Sequence, residues 1–140
     1  ERDKGREPLS FEDAIAAETD RISRDHERLV RGEIERSEAH QYFSYLARGQ
    51  YADQLERWLR VYPREQLLVL RFEDLAQEPL PVLNGALRFV RLPPMDAARL
   101  EPRNTRKYPT LDPATAERLR DYFAPHNAAL EVLLGERMRW

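Results

Sequence analysis

A cluster of cationic side chains in the last third of the chain is the part of the sequence best suited to chemistry. Four bases lie within nine positions, namely Arg99, Arg103, Arg106 and Lys107. Recognition of a phosphate group needs forked arginine donors, the point charge of a lysine, and small residues that let backbone amides approach the anion. The Asn-Thr-Arg-Lys run at 104–107 supplies all three. Composition alone favours a simpler interpretation, a solvated basic loop in front of a helix.

The remaining patterns offer little chemistry. The three histidines are far apart in sequence, and no pair of them has the spacing of metal ligands, so we expect no metal site. The chain has no cysteine, which excludes disulfides, thiolate ligands and a cysteine nucleophile. It also lacks the Walker-type phosphate loop, the Gly-x-Ser-x-Gly elbow and the Gly-x-Gly-x-x-Gly turn. These patterns identify no catalytic residue.

Length and charge are those of an ordinary globular domain. The 140 residues fit one domain, so we expect a single unit over 1–140. With 23 basic and 25 acidic residues, the net charge of -2 gives no drive toward nucleic acid or anionic membranes. No apolar run approaches the ~20 residues of a membrane span, and residues 1–7 have no signal-peptide-like apolar segment. We therefore expect a cytoplasmic protein without a nucleic-acid partner.

Helical patterns precede the basic cluster. Ser10 followed by Asp13 resembles a capping box and predicts the start of a first helix. Apolar residues between positions 51 and 62 recur with helical spacing and predict a helix with one broad apolar face. Trp58 lies on that face, and its spacing assigns it to the core. A further helical pattern covers residues 79–91.

A last helix follows the basic cluster. Asp112 is a favoured N-cap, and Pro113 is the residue preferred at the first helical position. Gly135 is a favoured helix end because glycine adopts the left-handed backbone conformation that helix ends often need.

Residues 66–72 form a short, mostly apolar run directly after a helical segment. This pattern predicts a strand buried on both faces, as in a parallel sheet. Such a strand needs neighbours for its amides and carbonyls, and the sequence offers no second convincing strand. We therefore expect an α/β fold of which this chain is an incomplete portion, mainly helical with one strand at 66–72.

Taken in order, the segments resemble a known family. The stretches that carry the resemblance are YADQLERWL at 51–59, YPREQLLVL at 62–70, FEDL at 72–75, RKYP at 106–109 and YFAPHN at 122–127. This ordered set is similar to bacterial sulfotransferases and to the sulfotransferase domains that act on heparan sulfate. The similarity covers nearly the whole chain, including GREPLSF at 5–11.

The resemblance implies a P-loop-like α/β fold and a sulfate donor, 3′-phosphoadenosine 5′-phosphosulfate (PAPS). In the heparan-sulfate members, a Lys-Gly-Arg-Lys-Tyr-Pro loop closes over the nucleotide phosphates. Position by position, the donor-binding residues implied here are Asn104, Thr105, Arg106, Lys107 and Tyr108. Arg106 is the best phosphate ligand, supported by Lys107 and the Thr105 amide. Asn104 and Thr105 replace the Lys-Gly of the family, so one positive charge is lost.

The resemblance also implies an acceptor side and the parts that the sequence lacks. The segment around Ser44, Tyr45 and Tyr51 would line or cover the acceptor cleft. A Pro-Lys-x-Gly-Thr-Thr-like loop, the catalytic base that follows it and the strand and helix that bind the 3′-phosphate are not among the 140 residues. We therefore expect the C-terminal portion of a sulfotransferase domain, inactive by itself.

The family activity would be sulfate transfer to a hydroxyl or amine of a carbohydrate, lipid or polyketide. The partners would be a small-molecule or glycan acceptor and either the N-terminal half of the domain or a second copy. The alternative is a non-catalytic helical interaction module that pairs with a partner through the exposed strand.

Overall fold

The computed structural model describes residues 5–96 and 110–138. Within these ranges the chain forms six α-helices: α1 (Phe11–Val30), α2 (Glu38–Tyr42), α3 (Tyr51–Leu59), α4 (Phe72–Gln77), α5 (Pro79–Phe89) and α6 (Pro113–Leu134). Short 3-10 helices occur at Ala47–Gly49 and Arg64–Gln66. Among these described helices, none combines the length and hydrophobicity that a membrane crossing requires.

Contacts divide the chain into two compact units. Unit 1 consists of Glu1–Glu56 and Leu111–Trp140, and unit 2 consists of Arg57–Thr110. The expectation of a single domain over residues 1–140 stays a prediction.

The predicted helix ends are confirmed. The Ser10 hydroxyl accepts a hydrogen bond from the backbone N–H of Asp13 at 3.1 Å, where α1 begins. At the start of α6, the Asp112 carboxylate accepts from the Thr115 N–H at 3.0 Å, and Pro113 is the first helical residue. Gly135, with a φ of 73°, ends α6. These ends follow from local backbone requirements, which is why the sequence alone predicts them.

The predicted strand at residues 66–72 is wrong. Gln66 ends a 3-10 helix, Phe72 begins α4, and the residues between them belong to no helix or strand. Leu67 and Arg71 have extended dihedral angles. A strand, however, also needs hydrogen bonds to a neighbouring strand, and the described ranges contain none. The α/β expectation is therefore corrected to an all-helical arrangement for the described part of the chain.

Unit 1 has a small core built around α1. The short helix α2 packs against α1, and the buried apolar side chains are few and mostly small: Ala14, Ile15, Ala39, Ala52 and Leu130. Four polar residues are buried beside them: Glu7, Glu18, Ser44 and Thr115. Because buried polar groups are costly unless they are hydrogen-bonded, the partners of these side chains decide how unit 1 is held together.

Unit 2 contains α4 and α5, which pack against each other. Arg71 forms an ion pair with Asp74 at 2.7 Å at the start of α4. The Asn84 side chain makes two hydrogen bonds to the backbone of Met95. Trp58, which its spacing assigned to a core, is 55% exposed, so that assignment is wrong.

Candidate functional site

The predicted donor-binding residues, Asn104, Thr105, Arg106, Lys107 and Tyr108, lie outside the described residues. The described chain resumes at Thr110, three positions before α6 begins. The geometry of a candidate site therefore comes from the predicted acceptor side, which is the segment that leads into α3.

An open depression of about 360 Å³ is formed in unit 1 by the start of α3, by Gly49 just before it, by Leu111 and by residues of α6 between Ala116 and Asn127. Its lining residues are Gly49, Tyr51, Leu111, Ala116, Leu119, Arg120, Phe123 and Asn127. Those on α6 follow the helical pattern i, i+3, i+4, i+7, i+11 and share one helix face. Its volume is within the range of small-molecule sites, and its lining is mainly apolar with a few polar groups.

The three predicted acceptor-side residues occupy different places. Tyr51 lines the depression and is half exposed. Ser44 is buried, and its hydroxyl donates to the carbonyl oxygen of His40 at 2.8 Å. The Tyr45 hydroxyl donates to Glu7 at 2.7 Å. The residues lining the depression thus include Tyr51 but not Ser44 or Tyr45.

Glu7 is the centre of one buried polar cluster. Its carboxylate accepts from the Arg21 guanidinium at 2.6 Å, the Tyr45 hydroxyl at 2.7 Å and the Leu9 amide at 3.1 Å. The hydrogen bond from Arg21 is the largest influence, and those from Tyr45 and Leu9 add to it. Together they outweigh burial and lower the pKa of Glu7 to about 2. The cluster ties Tyr45 to the residues before α1 and to α1 itself.

Glu18 attaches the same segment to α1 at a second point. Its carboxylate accepts from three consecutive backbone amides, those of Tyr45 at 2.9 Å, Leu46 at 2.6 Å and Ala47 at 2.9 Å. Ala47 begins the 3-10 helix that ends at Gly49. The amides at a helix start have no partner within the helix, so a carboxylate placed there satisfies them and is itself stabilised.

Asp25 attaches α2 in the same way. Its carboxylate accepts from the Ala39 amide at 3.0 Å and from the Ser37 hydroxyl at 2.8 Å. These hydrogen bonds, the Ala39 amide first, lower the pKa of Asp25. In the described ranges, no group of three or more His, Asp or Glu side chains is arranged to hold a metal ion. Glu7, Glu18 and Asp25 each hold backbone or side-chain donors.

The 3-10 helix in turn contacts α6. The side-chain amide of Gln50 donates to the Tyr122 hydroxyl at 2.7 Å, and the ring of Phe123 lies against Gly49. This contact between Gly49 and Phe123 forms part of the depression, since both residues line it.

Sequence reasoning missed Glu18 and the polar lining residues Arg120 and Asn127. Glu18 lies three residues after Ile15 and four before Ile22, so the helical period places it on the same face of α1 as these two apolar residues. That position was the available signal. Arg120 and Asn127 share a helix face with Phe123, but nothing in the sequence says that this face is partly open.

Comparison with known proteins identifies relatives of this chain. The sequence profile described as "Sulfotransferase domain" matches residues 22–101, more than half of the chain. A crystal structure of a sulfotransferase from Alicyclobacillus acidocaldarius is 31% identical and superimposes with a TM-score of 0.68. The superposition covers 98% of this chain and 47% of that one.

Two curated relatives of the chain are also sulfotransferases by name. A membrane-associated sulfotransferase of Dictyostelium discoideum is 30% identical over 109 residues, which is 78% of this chain and 23% of that protein. The human heparan sulfate glucosamine 3-O-sulfotransferase 5 is 30% identical over 112 residues, with 64% of this chain and 32% of that protein covered. The chain thus spans about half of the bacterial structure and a third or less of these two relatives. On the profile match together with the superposition, the chain belongs to the sulfotransferase domain family.

Proposed function

We propose that this chain takes part in sulfate transfer from PAPS to a hydroxyl or amine of a carbohydrate, lipid or polyketide acceptor, as a C-terminal portion of the catalytic domain. The observation that carries the proposal is the superposition of nearly the whole chain on a bacterial sulfotransferase. The human relative named above acts, by its name, on a carbohydrate, which supports a glycan among the candidate acceptors.

In this proposal the donor phosphates bind to the loop at 104–108. Arg106 offers a planar fork of N–H donors and Lys107 a compact charge, the two kinds of cation that proteins use for phosphates. Leu111, which lines the depression, is four positions after Lys107 in the chain.

The acceptor side is assigned to the depression beside Tyr51. Leu111, Leu119 and Phe123 supply apolar surface, and Arg120 and Asn127 supply polar groups that can orient a ligand. Tyr45 and Ser44 contribute indirectly, because their hydrogen bonds hold the chain that leads to Tyr51. In the reaction, the bond from sulfur to the donor phosphate breaks while a bond from sulfur to the acceptor oxygen or nitrogen forms. Adenosine 3′,5′-bisphosphate leaves, and the acceptor proton passes to a general base.

Catalysis of this kind depends mainly on positioning and on stabilisation of charge at the group in transfer. The 140 residues contain no Pro-Lys-x-Gly-Thr-Thr-like loop, so the chain alone is expected to bind the donor product without turning over PAPS. A sulfotransfer assay with PAPS, 2-naphthol and desulfated heparan oligosaccharides checks this, and clear turnover by the chain alone would refute it.

The donor assignment has a separate binding test. Adenosine 3′,5′-bisphosphate and adenosine differ only in their phosphates, so a loop that binds the nucleotide phosphates should prefer the bisphosphate by about tenfold or more, as expected for a charge-assisted phosphate contact. Equal affinity for the two compounds, or binding of neither, would contradict the assignment.

A further inference from the structure

We infer that Glu18 is the positioning residue of the depression beside Tyr51. Its buried carboxylate fixes the backbone of residues 45–47 and thereby sets where Gly49 and Tyr51 lie against α6. This inference rests on the proposed function in one respect, namely that the depression takes the acceptor. Glu18 itself does not line the depression, so it acts through the chain that it holds.

The Glu18 carboxylate is buried. The Glu18 residue is 3% exposed, and a buried carboxylate is costly unless hydrogen bonds replace its water. Three backbone amides do so, at 2.6 to 2.9 Å. Hydrogen bonds to a charged acceptor are stronger than those between neutral groups. The contact therefore specifies a single placement of residues 45–47 relative to α1.

The contact of Glu18 with residues 45–47 is linked to the depression through the 3-10 helix. Ala47, held by Glu18, is the first residue of the 3-10 helix whose last residue is Gly49. The Gln54 side chain, one turn into α3, donates to the carbonyl oxygens of Ala47 at 3.3 Å and Arg48 at 3.0 Å. The short helix is thus held by Glu18 through its first amide and by α3 through the carbonyl oxygens of its first two residues.

Gly49 leaves little free space between its backbone and the ring of Phe123. A Cβ atom added there would lie 2.5 Å from Cε1 of Phe123. Gly49 and Phe123 both line the depression, so their separation helps to set its shape. A displacement of the 3-10 helix by even a fraction of an ångström must therefore move the Phe123 ring or change the depression.

The experiment compares Glu18→Gln with the wild-type chain and with Glu27→Gln. Glutamine keeps the shape but replaces one acceptor oxygen by an N–H donor group, which cannot accept from the backbone amides. Glu27 lies on the same helix and is exposed, so its variant is the matched control. Three readouts are taken by NMR: hydrogen exchange of the Tyr45–Ala47 amides, the ring-current shift of the Gly49 α-protons, and the affinity for 2-naphthol, an apolar ring that bears a hydroxyl.

The expected result separates positioning from general stability. Glu18→Gln should speed exchange at the three amides by about tenfold or more, the scale of one lost charge-assisted hydrogen bond. It should also reduce the Gly49 shift and weaken 2-naphthol binding about tenfold, and affinity for adenosine 3′,5′-bisphosphate should stay within about twofold. Glu27→Gln should change none of these readouts. If Glu18→Gln does not fold, Glu18→Asp, which keeps the charge but shortens the side chain, is measured instead under the same criteria.

Unchanged 2-naphthol affinity and Gly49 shifts in the Glu18 variant would overturn the inference, as would a wild-type chain that does not bind 2-naphthol. Parallel losses of both affinities would also overturn it, since they indicate a purely structural role. If the wild-type chain binds 2-naphthol but not the bisphosphate, the donor assignment fails. The effect of Glu18 on the depression is still decided by 2-naphthol, so the two failures are distinguishable.

Discussion

Gly49 lies directly against the aromatic ring of Phe123, so close that a Cβ on residue 49 would be 2.5 Å from Cε1 and 2.7 Å from Cζ. Phe123 is itself restrained, because its ring packs edge-on against that of Tyr122 with centroids 5.0 Å apart. The close approach of the Phe123 ring to the backbone of residue 49 therefore requires glycine at this position. The contact joins the 3-10 helix to α6 at the depression.

The Gly49→Ala substitution is expected to destabilise the chain by about 1–3 kcal/mol, the usual cost of overpacking. The reason is that the Phe123 ring must move, and movement is opposed by its neighbours. Urea denaturation followed by circular dichroism measures this difference.

Gly85→Ala is the matched control for that measurement. Gly85 lies inside α5, and an added Cβ would have no atom within 4 Å. Alanine should stabilise the chain there by about 0.5–1 kcal/mol, because glycine is a poor helix former. Equal effects of the two substitutions would show that the Gly49–Phe123 contact does not constrain the fold.

The buried Glu7 carboxylate predicts a loss of stability in acid. Its pKa of about 2 in the folded chain is below its ordinary value of 4.5, chiefly because of the hydrogen bond from Arg21. The unfolded chain therefore binds more protons between these pH values, and stability rises with pH across this window. The contribution is complete above about pH 4.5, amounts to at most ~3 kcal/mol, and is lost as the pH falls through 2.

Glu7→Gln tests this dependence. The variant should be less stable than the wild-type chain at pH 7, and its stability should change less between pH 4.5 and 2. Tyr45→Phe, which removes one donor at 2.7 Å, should give an intermediate profile. Urea unfolding at a series of pH values provides the comparison, and identical acid profiles for wild type and Glu7→Gln would contradict the assignment.

Arg91 offers a site where a substitution should stabilise the chain. Its φ of 61° is in the left-handed region, which costs a non-glycine residue about 1–2 kcal/mol. The amides of Arg91 and Leu92 donate to the carbonyl oxygens of Arg88 at 3.0 Å and Leu87 at 2.8 Å. This is the Schellman pattern, in which glycine is the usual residue.

Arg91→Gly should therefore raise the free energy of unfolding by about 1 kcal/mol. Arg88→Gly, within the last turn of α5, should lower it by a similar amount because glycine there only weakens the helix. Thermal and urea denaturation of both variants check the opposite signs. A loss of stability in Arg91→Gly would mean that the Arg91 side chain matters more than its backbone.

The sequence predicted those parts of the fold that depend on neighbouring residues. Ser10, Asp112 and Gly135 mark helix ends because a cap needs only the next few backbone groups. The strand at 66–72 could not be predicted in this way, since a strand exists only with a hydrogen-bonded neighbour. The assignment of Trp58 to the core was wrong for a related reason. Periodicity identifies an apolar face but does not show whether anything covers that face.

The candidate site shows the same division. Tyr51 is predicted on the acceptor side by family resemblance; it lines the depression, and its contact with an acceptor stays a prediction. The role of Glu18 depends on amides 27 to 29 positions away, and no local pattern reveals such a pairing. The donor-binding role of Arg106 stays a prediction, derived from resemblance and from its chemistry.

The central claim is that the chain carries the loop that binds the PAPS phosphates, and calorimetry with adenosine 3′,5′-bisphosphate tests it most directly. The wild-type chain should bind the nucleotide. Arg106→Ala should lose affinity by about tenfold or more, the scale of one charge-assisted phosphate contact. Arg118→Ala, an exposed position on α6, should bind like the wild type. Binding that survives in Arg106→Ala, or no binding by the wild-type chain, would contradict the account.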